Sequence, residues 1–203
     1  MHIVCSDLEG VFVPEIWINV AEKTGIDELR LTTRDISDYN VLMKKRLSIL
    51  DANGLRLKDI QDVIATMEPL EGAGAFLDWL RSVTQLIVVS DTFVEFADPL
   101  MAKLNRPTLF CNYLSVDGAG RVTDYHLRQT DGKRHVAEAM KALNFTVIAM
   151  GDSYNDLTMI RAADHGILFR PPEAISLDCP DLPVETRYDE LKIRISKLLA
   201  EAD

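Results

Sequence analysis

The most constraining feature of this sequence is a short apolar run near its N-terminus that ends in acidic residues. Residues 3–10 are I-V-C-S-D-L-E-G, so a segment typical of a buried β-strand is followed by Asp7, Glu9 and a glycine. In an open parallel sheet, ligands bind outside the carboxyl ends of the strands, where the loops diverge. The pattern therefore predicts that Asp7 faces a ligand, with capping of the following turn as the alternative.

Three later segments combine apolar residues with polar groups suited to phosphate or metal. Residues 86–92 are L-I-V-V-S-D-T, residues 131–134 are D-G-K-R, and residues 147–156 are V-I-A-M-G-D-S-Y-N-D. Because the carboxyl ends of parallel strands meet at one edge of a sheet, we expect the polar ends of these segments to meet around Asp7.

The order of the predicted elements indicates an inserted unit. After residue 12 the pattern is helical up to about residue 70, although a right-handed crossover would normally return to a strand much sooner. We therefore predict an α/β fold with a doubly wound, mainly parallel sheet. Its core comprises residues 1–12 and 71–203, and a small helical cap comprises residues 13–70.

Apolar periodicity and turn residues predict the individual elements. The first helix has Pro14 at its first position and ends at Gly25, and the fourth directs Phe76, Trp79, Leu80 and Val83 inward. Helices are expected at residues 14–25, 32–53, 57–67, 75–83, 93–104, 133–143, 156–163 and 188–200, and later strands at 86–89, 109–116, 121–127, 147–150 and 166–169.

Composition narrows the classes of function. The chain has 203 residues, of which 47% are hydrophobic and 27% charged, as in an ordinary globular protein. Its formal charge of −10 argues against a nucleic-acid partner or an anionic membrane surface. With neither a leader pattern nor an apolar run long enough to span a bilayer, a cytoplasmic location is expected.

The acidic and basic residues of these segments suit phosphoryl transfer. Asp7 is the candidate nucleophile, because a carboxylate can form an aspartyl-phosphate and split one displacement into two. Glu9 lies on the same side of an extended segment and is the candidate general acid and base. Lys133 would neutralise the phosphoryl charge, while the Ser90 hydroxyl and backbone amides near Asp91 would hold its oxygens. The alternative for Lys133 is a solvated lysine at a surface helix start.

The same acidic residues predict a metal site. Carboxylate oxygens beside a phosphate suit Mg²⁺, which takes one or two protein carboxylates and keeps several waters. The predicted ligands are Asp7, Asp152 and Glu9, with the backbone carbonyl of Glu9 as one option. Asp156, one helical turn beyond Asp152, would orient a ligand or a metal-bound water.

In chain order, Asp-x-Glu, Ser-Asp-Thr, Lys and Gly-Asp-x-x-x-Asp resemble the motifs of the haloacid dehalogenase superfamily, and the resemblance covers nearly the whole chain. D-L-E-G, V-P-E-I-W, L-M-K-K-R, V-S-D-T and G-D-S-Y-N-D are similar to its phosphoserine phosphatase branch, including the version that also transfers the phosphoryl group to homoserine. The resemblance implies Mg²⁺-dependent hydrolysis of phosphoserine through an aspartyl-phosphate, within serine and threonine biosynthesis.

The resemblance also implies substrate contacts. Glu15 would pair with the substrate ammonium, Arg46 with its carboxylate, and Asn155 would lie near the phosphate, whereas the alternative for the two cap residues is a solvated helix face. Two departures stand out. Glu9 replaces the aspartate of most relatives, and Ser-Asp-Thr replaces the Ser-Gly-Gly of ordinary phosphoserine phosphatases.

Three other functions stay open on the sequence alone. One is a phosphatase for another small phosphorylated metabolite, since the core residues specify only the phosphoryl chemistry. Another is a phospho-accepting signalling receiver domain, which uses a similar acidic cluster but carries its acceptor on a central strand and lacks a cap. A third is a non-catalytic small-molecule binder on the same fold, but this would require that an essential group be lost, and none is missing. The oligomeric state is also open, with a homodimer as one option.

Overall fold

A computed structural model of the chain describes residues 1–32, 35–36 and 38–201. The predicted α/β class is confirmed, because seven strands form one sheet in the order β4-β3-β2-β1-β5-β6-β7. All pairs are parallel except the β3–β4 hairpin. The strands are β1 (His2–Ser6), β2 (Gln85–Phe93), β3 (Leu109–Val116), β4 (Val122–His126), β5 (Thr146–Gly151), β6 (His165–Phe169) and β7 (Val184–Glu185).

Helices connect these strands and cover both faces of the sheet. Short 3₁₀ turns at Asp27–Arg30 and Tyr154–Asp156 accompany them. The α-helices are α1 (Ile16–Thr24), α2 (Tyr39–Ala52), α3 (Leu57–Ala65), α4 (Ala73–Val83), α5 (Val94–Lys103), α6 (Gly132–Ala142), α7 (Leu157–Ala162), α8 (Glu173–Asp178) and α9 (Tyr188–Ala200).

Alternating side chains of the central strands supply two apolar cores. In β1, Ile3 and Cys5 pack with α6 and α7 on one face, whereas Val4 packs with α4 and α5 on the other. Strand β1 lies between β2 and β5, so both of its faces are covered, as expected for a central parallel strand. This central position places the residues that follow Ser6 in the middle of the sheet's carboxyl edge.

The helices between β1 and β2 pack against the core. Ile60 and Ile64 of α3 belong to the same apolar cluster as Val4 and Phe96, and Trp17 of α1 makes an edge-on ring contact with Phe96. The division into a core of residues 1–12 and 71–203 and a cap of residues 13–70 stays a prediction.

The first helix begins later than predicted. Its first residue is Ile16, and Glu15 is the N-cap with a non-helical ψ of 118°, so Pro14 lies outside the helix. In the segment just before it, the Gly10 amide donates to the Val13 carbonyl at 2.8 Å. The predicted stop is confirmed, because Gly25 adopts a left-handed φ of 71° at the helix end.

Helices α2 and α3 are shorter than predicted. Helix α2 begins at Tyr39 because the Asp38 carboxylate accepts hydrogen bonds from the amides of Asn40 and Val41, a cap that the sequence analysis missed. Of the predicted start at residues 32–38, residues 33, 34 and 37 lie outside the described residues. Helix α3 ends at Ala65, two residues before the predicted end.

Strand β2 is longer than predicted, and this matters for the site. It continues through Ser90, Asp91 and Thr92 to Phe93, and its register against β3 shifts between Val89 and Phe93. Ser90, Asp91 and Thr92 therefore lie within an irregular part of the strand, whereas the sequence predicted that they follow its end.

Smaller corrections concern the helices and one late strand. The inward prediction for Val83 is wrong, since its side chain is 44% exposed. Asp156 belongs to a 3₁₀ turn that precedes α7, and α8 and β7 were not predicted. None of the helices in residues 1–32, 35–36 and 38–201 combines the length and apolar character needed to cross a membrane.

Candidate active site

A cavity of about 410 Å³ opens at the carboxyl edge of the sheet, between the ends of β1, β2 and β5 and the helices α1 and α2. The structure brings together every site residue that the sequence predicted. Those lining the cavity are Asp7, Glu9, Glu15, Arg46, Ser90, Asp91, Lys133, Asp152 and Asn155.

Lys133 is the cation at the floor of the cavity. It is the second residue of α6 and its side chain is only 4% exposed, which rules out the alternative of a solvated lysine. Its Nζ donates to Asp7 Oδ1 at 2.8 Å and to Asp156 Oδ1 at 2.6 Å. Burial disfavours the ammonium, but these two carboxylates outweigh it and raise the pKa of Lys133, so the lysine stays charged.

Asp156 is fully buried and organises the loop that follows β5. Its Oδ2 accepts hydrogen bonds from the amides of Asp152 and Ser153 at 3.1 and 3.0 Å, and from the Ser153 hydroxyl at 2.9 Å. With Lys133 on the other oxygen, both carboxylate oxygens of Asp156 are engaged by protein donors. The arrangement orients Asp152 and Lys133 together.

Three carboxylates converge beside this lysine. Oxygen atoms of Asp7, Asp152 and Asp156 lie within 4.8 Å of one another, and all three residues are buried. Burial is the main effect that raises the pKa of Asp7, and the charge of Asp156 adds to it, whereas Lys133 opposes both. Three buried acids beside one ammonium form a site that a hard cation would neutralise, and the oxygen donors suit Mg²⁺.

Two glycines let these carboxylates approach the backbone. A Cβ atom on Gly10 would lie 2.4 Å from Cγ of Asp152, and one on Gly151 would lie 2.4 Å from Cγ of Asp156. Gly10 also has a φ of +75°, which side chains rarely tolerate. The glycine that ends the first motif is therefore needed to place Asp152.

Glu9 faces the helical side of the cavity. Its Oε2 accepts a hydrogen bond from the Ile16 amide at the start of α1, at 2.7 Å. Desolvation, followed by the charge of Glu15, raises the pKa of Glu9 to about 8. Among the described residues, the converging carboxylate group contains Asp156 and not the side chain of Glu9. A metal contact through the Glu9 carbonyl stays a prediction.

The irregular part of β2 forms another wall. The Asp91 carboxylate accepts a hydrogen bond from Asn155 Nδ2 at 2.8 Å and lies 3.6 Å from Lys133 Nζ. The buried Ser90 hydroxyl accepts from the Thr92 amide at 3.2 Å. The irregular part of β2 and the segment after β5 are thus linked across the cavity floor.

Arg46 is the cation at the roof of the cavity, where it is only 7% exposed. Its guanidinium stacks on the Trp17 ring at 4.5 Å and donates from Nη2 to the Leu31 carbonyl at 2.8 Å. Within the described part of the chain, its buried Nε has no hydrogen-bond partner. Burial lowers the pKa of Arg46 to about 10, and the solvated-face alternative is wrong for this residue. Glu15, at the N-cap of α1, is half-buried beside it.

Two polar residues stand out among the cavity-lining residues that the sequence analysis did not assign to the site, Tyr39 and Arg170. Tyr39, at the first turn of α2, donates from its hydroxyl to the Asp91 carbonyl at 3.2 Å. Arg170 follows β6, so the rule that ligands lie beyond strand ends could have identified it. Its guanidinium lies 4.7 Å from the centres of both the Phe169 and Tyr188 rings. Nothing in the local pattern marked Tyr39.

The chain is similar to known phosphoserine phosphatases. The chain is 57% identical to phosphoserine phosphatase ThrH of Pseudomonas aeruginosa over 192 residues, which cover 95% of this chain and 94% of the relative. It is 56% identical to a phosphoserine phosphatase of Pseudomonas syringae pv. tomato, over 95% of this chain and 81% of the relative.

Solved structures share the fold. A phospho-aspartyl intermediate analogue of phosphoserine phosphatase matches with a TM-score of 0.76 and 22% identity, over 96% of this chain and 98% of that one. A substrate-bound phosphoserine phosphatase complex matches with a TM-score of 0.76 and 21% identity, over 96% and 97% of the two chains. The family model for haloacid dehalogenase-like hydrolases matches residues 4–164, so this chain belongs to that family.

Proposed function

We propose that this protein is a Mg²⁺-dependent phosphatase for O-phospho-L-serine that works through an aspartyl-phosphate at Asp7. The observation that carries the proposal is that two buried cations lie at opposite ends of one cavity. Lys133 lies beside Asp7 at the floor, and Arg46 lies at the roof. A phosphorylated amino acid has an anionic group at each end, and its ammonium would face Glu15. The names of the two Pseudomonas relatives support this substrate.

The residues at the floor would carry out the first step. A carboxylate oxygen of Asp7 attacks phosphorus, the bond between phosphorus and serine Oγ breaks, and Glu9 gives its proton to that oxygen. The raised pKa of Glu9 fits this role, and its hydrogen bond to Ile16 holds it toward the leaving group. Lys133 and the Ser90 hydroxyl stabilise the charge on the phosphoryl oxygens.

Hydrolysis of the aspartyl-phosphate would complete the cycle. Glu9 accepts a proton from a water molecule, the water oxygen attacks phosphorus, and Asp7 leaves as a carboxylate. Asp7 and Asp152 would hold Mg²⁺, with the Glu9 carbonyl as the predicted third protein ligand, and Asp156 would support them. When bound, the ion supplies charge neutralisation and orientation of the phosphoryl group.

The proposal extends to transfer of the phosphoryl group to homoserine. An alcohol can replace water in the second step, with Glu9 taking the proton from its hydroxyl group. Homoserine carries the same ammonium and carboxylate as serine, so Glu15 and Arg46 would suit both amino acids. Such an enzyme would serve serine and threonine biosynthesis in the cytoplasm.

The deciding experiment is release of inorganic phosphate from phosphoserine, with Mg²⁺ and after its removal by EDTA, beside a panel of other phosphomonoesters. We expect many turnovers that require Mg²⁺ and the highest kcat/KM for phosphoserine. A higher kcat/KM for another ester would overturn the substrate and leave the reaction class standing. Phosphorylation of the chain without turnover would favour a receiver-type function.

The transfer reaction is tested by adding homoserine to the same assay. We expect phosphohomoserine to form, detected by ³¹P nuclear magnetic resonance, with a matching fall in released phosphate. If phosphate release is unchanged and no new phosphomonoester forms, the protein is a hydrolase only.

A further inference from the structure

We propose that Asn112 is a positioning residue that fixes the two phosphate-facing loops relative to each other. We call residues 90–92 the serine loop and residues 127–133 the lysine loop. Asn112 lies on β3, behind both loops, and is only 8% exposed. The inference rests on the proposed function only in taking these loops as the phosphoryl-binding part of the site.

The irregularity of β2 creates the need for such a residue. Val89 pairs with Phe110 and Phe93 pairs with Asn112, so four steps along β2 correspond to two steps along β3. The serine loop is therefore pushed out of the regular ladder toward the cavity. The Asn112 side chain compensates, because its Nδ2 donates to the Asp91 carbonyl at 3.1 Å.

The other end of the same amide holds the lysine loop. Asn112 Oδ1 accepts a hydrogen bond from the Arg128 amide at 3.0 Å. The lysine loop continues from Arg128 into Gly132, the first residue of α6, and Lys133 is the next residue. One side chain therefore spans the two loops that present Ser90 and Lys133 to the phosphoryl group.

A primary amide of this length suits both tasks. It offers a donor and an acceptor on one rigid plane, whereas a carboxylate offers acceptors alone and alanine offers neither. Removing the amide leaves the Arg128 N–H without this partner and the Asp91 carbonyl with the Tyr39 hydroxyl, 3.2 Å away, as its donor. The lysine loop is therefore expected to shift toward another hydrogen bond, away from the serine loop. Such a shift would move Ser90 and Lys133 apart and weaken binding of any phosphoryl group.

The test is the Kd of inorganic phosphate in the presence of Mg²⁺, measured by titration calorimetry on the full chain. Unlike kcat, this Kd does not depend on the fraction of correctly folded protein. We expect Kd to rise about fivefold in Asn112→Asp, which loses the hydrogen bond to the Asp91 carbonyl but can still accept from the Arg128 amide. It should rise further, up to about thirtyfold, in Asn112→Ala, which loses both, because each lost hydrogen bond is worth about 1 kcal/mol. Losses of similar size are expected in kcat/KM for phosphoserine and for p-nitrophenyl phosphate.

Ser115→Ala is the matched control, since Ser115 also lies on β3 and loses its 2.7 Å hydrogen bond to His126 on β4 without touching either loop. Its Kd for phosphate should equal that of the wild type. The proposal is overturned if folded Asn112→Ala or Asn112→Asp binds phosphate as the wild type does, or if Ser115→Ala loses as much affinity. If the phosphate affinities are as expected but the wild-type protein does not turn over phosphoserine, only the substrate assignment is overturned.

Discussion

At the floor of the cavity the Lys133 ammonium lies between Asp7 and Asp156, at 2.8 and 2.6 Å, whereas at the roof Arg46 has a buried Nε that lacks a partner among the described residues. The Lys133 ammonium therefore has two carboxylate partners before a substrate arrives. The Arg46 guanidinium keeps one donor unused by the described residues. Under the proposed function, the floor would bind the phosphoryl group of any ester, and the roof would gain most from a matching substrate.

The two regions also differ in how their positions are set. Floor residues follow the central strands β1 and β5 or begin α6, and Asp156 ties them together with four hydrogen bonds. Roof residues lie at or in α1 and α2. These helices contact the floor through residues that are distant in the sequence, as in the 3.2 Å hydrogen bond from the Tyr39 hydroxyl to the Asp91 carbonyl. Variants of floor residues are therefore expected to affect all substrates, and variants of roof residues to discriminate among them.

The largest effect is expected for Asp7→Asn. Replacing the nucleophile removes the covalent step, so kcat should fall by about 10⁴-fold or more, and equally for phosphoserine and p-nitrophenyl phosphate. Asp98→Asn is the control, since Asp98 is an exposed acid paired with Arg106 and should leave kcat unchanged. Turnover of Asp7→Asn near the wild-type rate would remove Asp7 from the chemistry.

The next effect is expected for Glu9→Gln, which keeps the shape of the side chain and removes the transferable proton. On phosphoserine, kcat/KM should fall by roughly 10²- to 10³-fold, because an alkoxide leaves poorly without a general acid. The fall in kcat/KM should be much smaller on p-nitrophenyl phosphate, whose leaving group needs no proton; kcat also includes hydrolysis of the aspartyl-phosphate, which both esters share. Equal losses of kcat/KM on both esters would contradict the role of Glu9 as the acid of the first step.

A third prediction separates backbone strain from site geometry. Gly10→Ala places a Cβ against Asp152, and we expect the Mg²⁺ concentration for half-maximal activity to rise by roughly 10- to 100-fold. Gly25→Ala is the matched control, because Gly25 has a similar φ of +71° and no atom within 4 Å of an added Cβ. Gly25→Ala should lose about 1 kcal/mol of stability in thermal unfolding and Gly10→Ala more, because of the clash with Asp152, but only Gly10→Ala should change the Mg²⁺ dependence. A shared change would contradict the role given to Gly10.

The floor was the more predictable region because its residues are tied to the ends of strands. Asp7, Asp152 and Lys133 stand beside apolar runs or glycines in the sequence, and parallel topology alone brings such ends to one edge. The role of Asp156 was predicted only as support, and the structure adds its contact with Lys133.

The parts that escaped prediction depend on contacts between distant segments. The length of β2 and the placement of Ser90 within it follow from pairing with β3, which no local pattern records. Asp38 could have been recognised as a helix cap, but Tyr39 and Asn112 reach Asp91 from 52 and 21 residues away. Periodicity describes one element at a time, so contacts of this kind appear only in the folded chain.

The division between floor and roof is tested most directly by Arg46→Ala, measured as kcat/KM on phosphoserine and on p-nitrophenyl phosphate, which lacks the amino-acid group. Arg30→Ala, an exposed arginine paired with Glu22, is the control. We predict about a tenfold loss on phosphoserine, mainly through KM, and no loss on p-nitrophenyl phosphate, since only the former carries the carboxylate that Arg46 would bind. Equal losses on the two esters, or none on phosphoserine, would contradict the account.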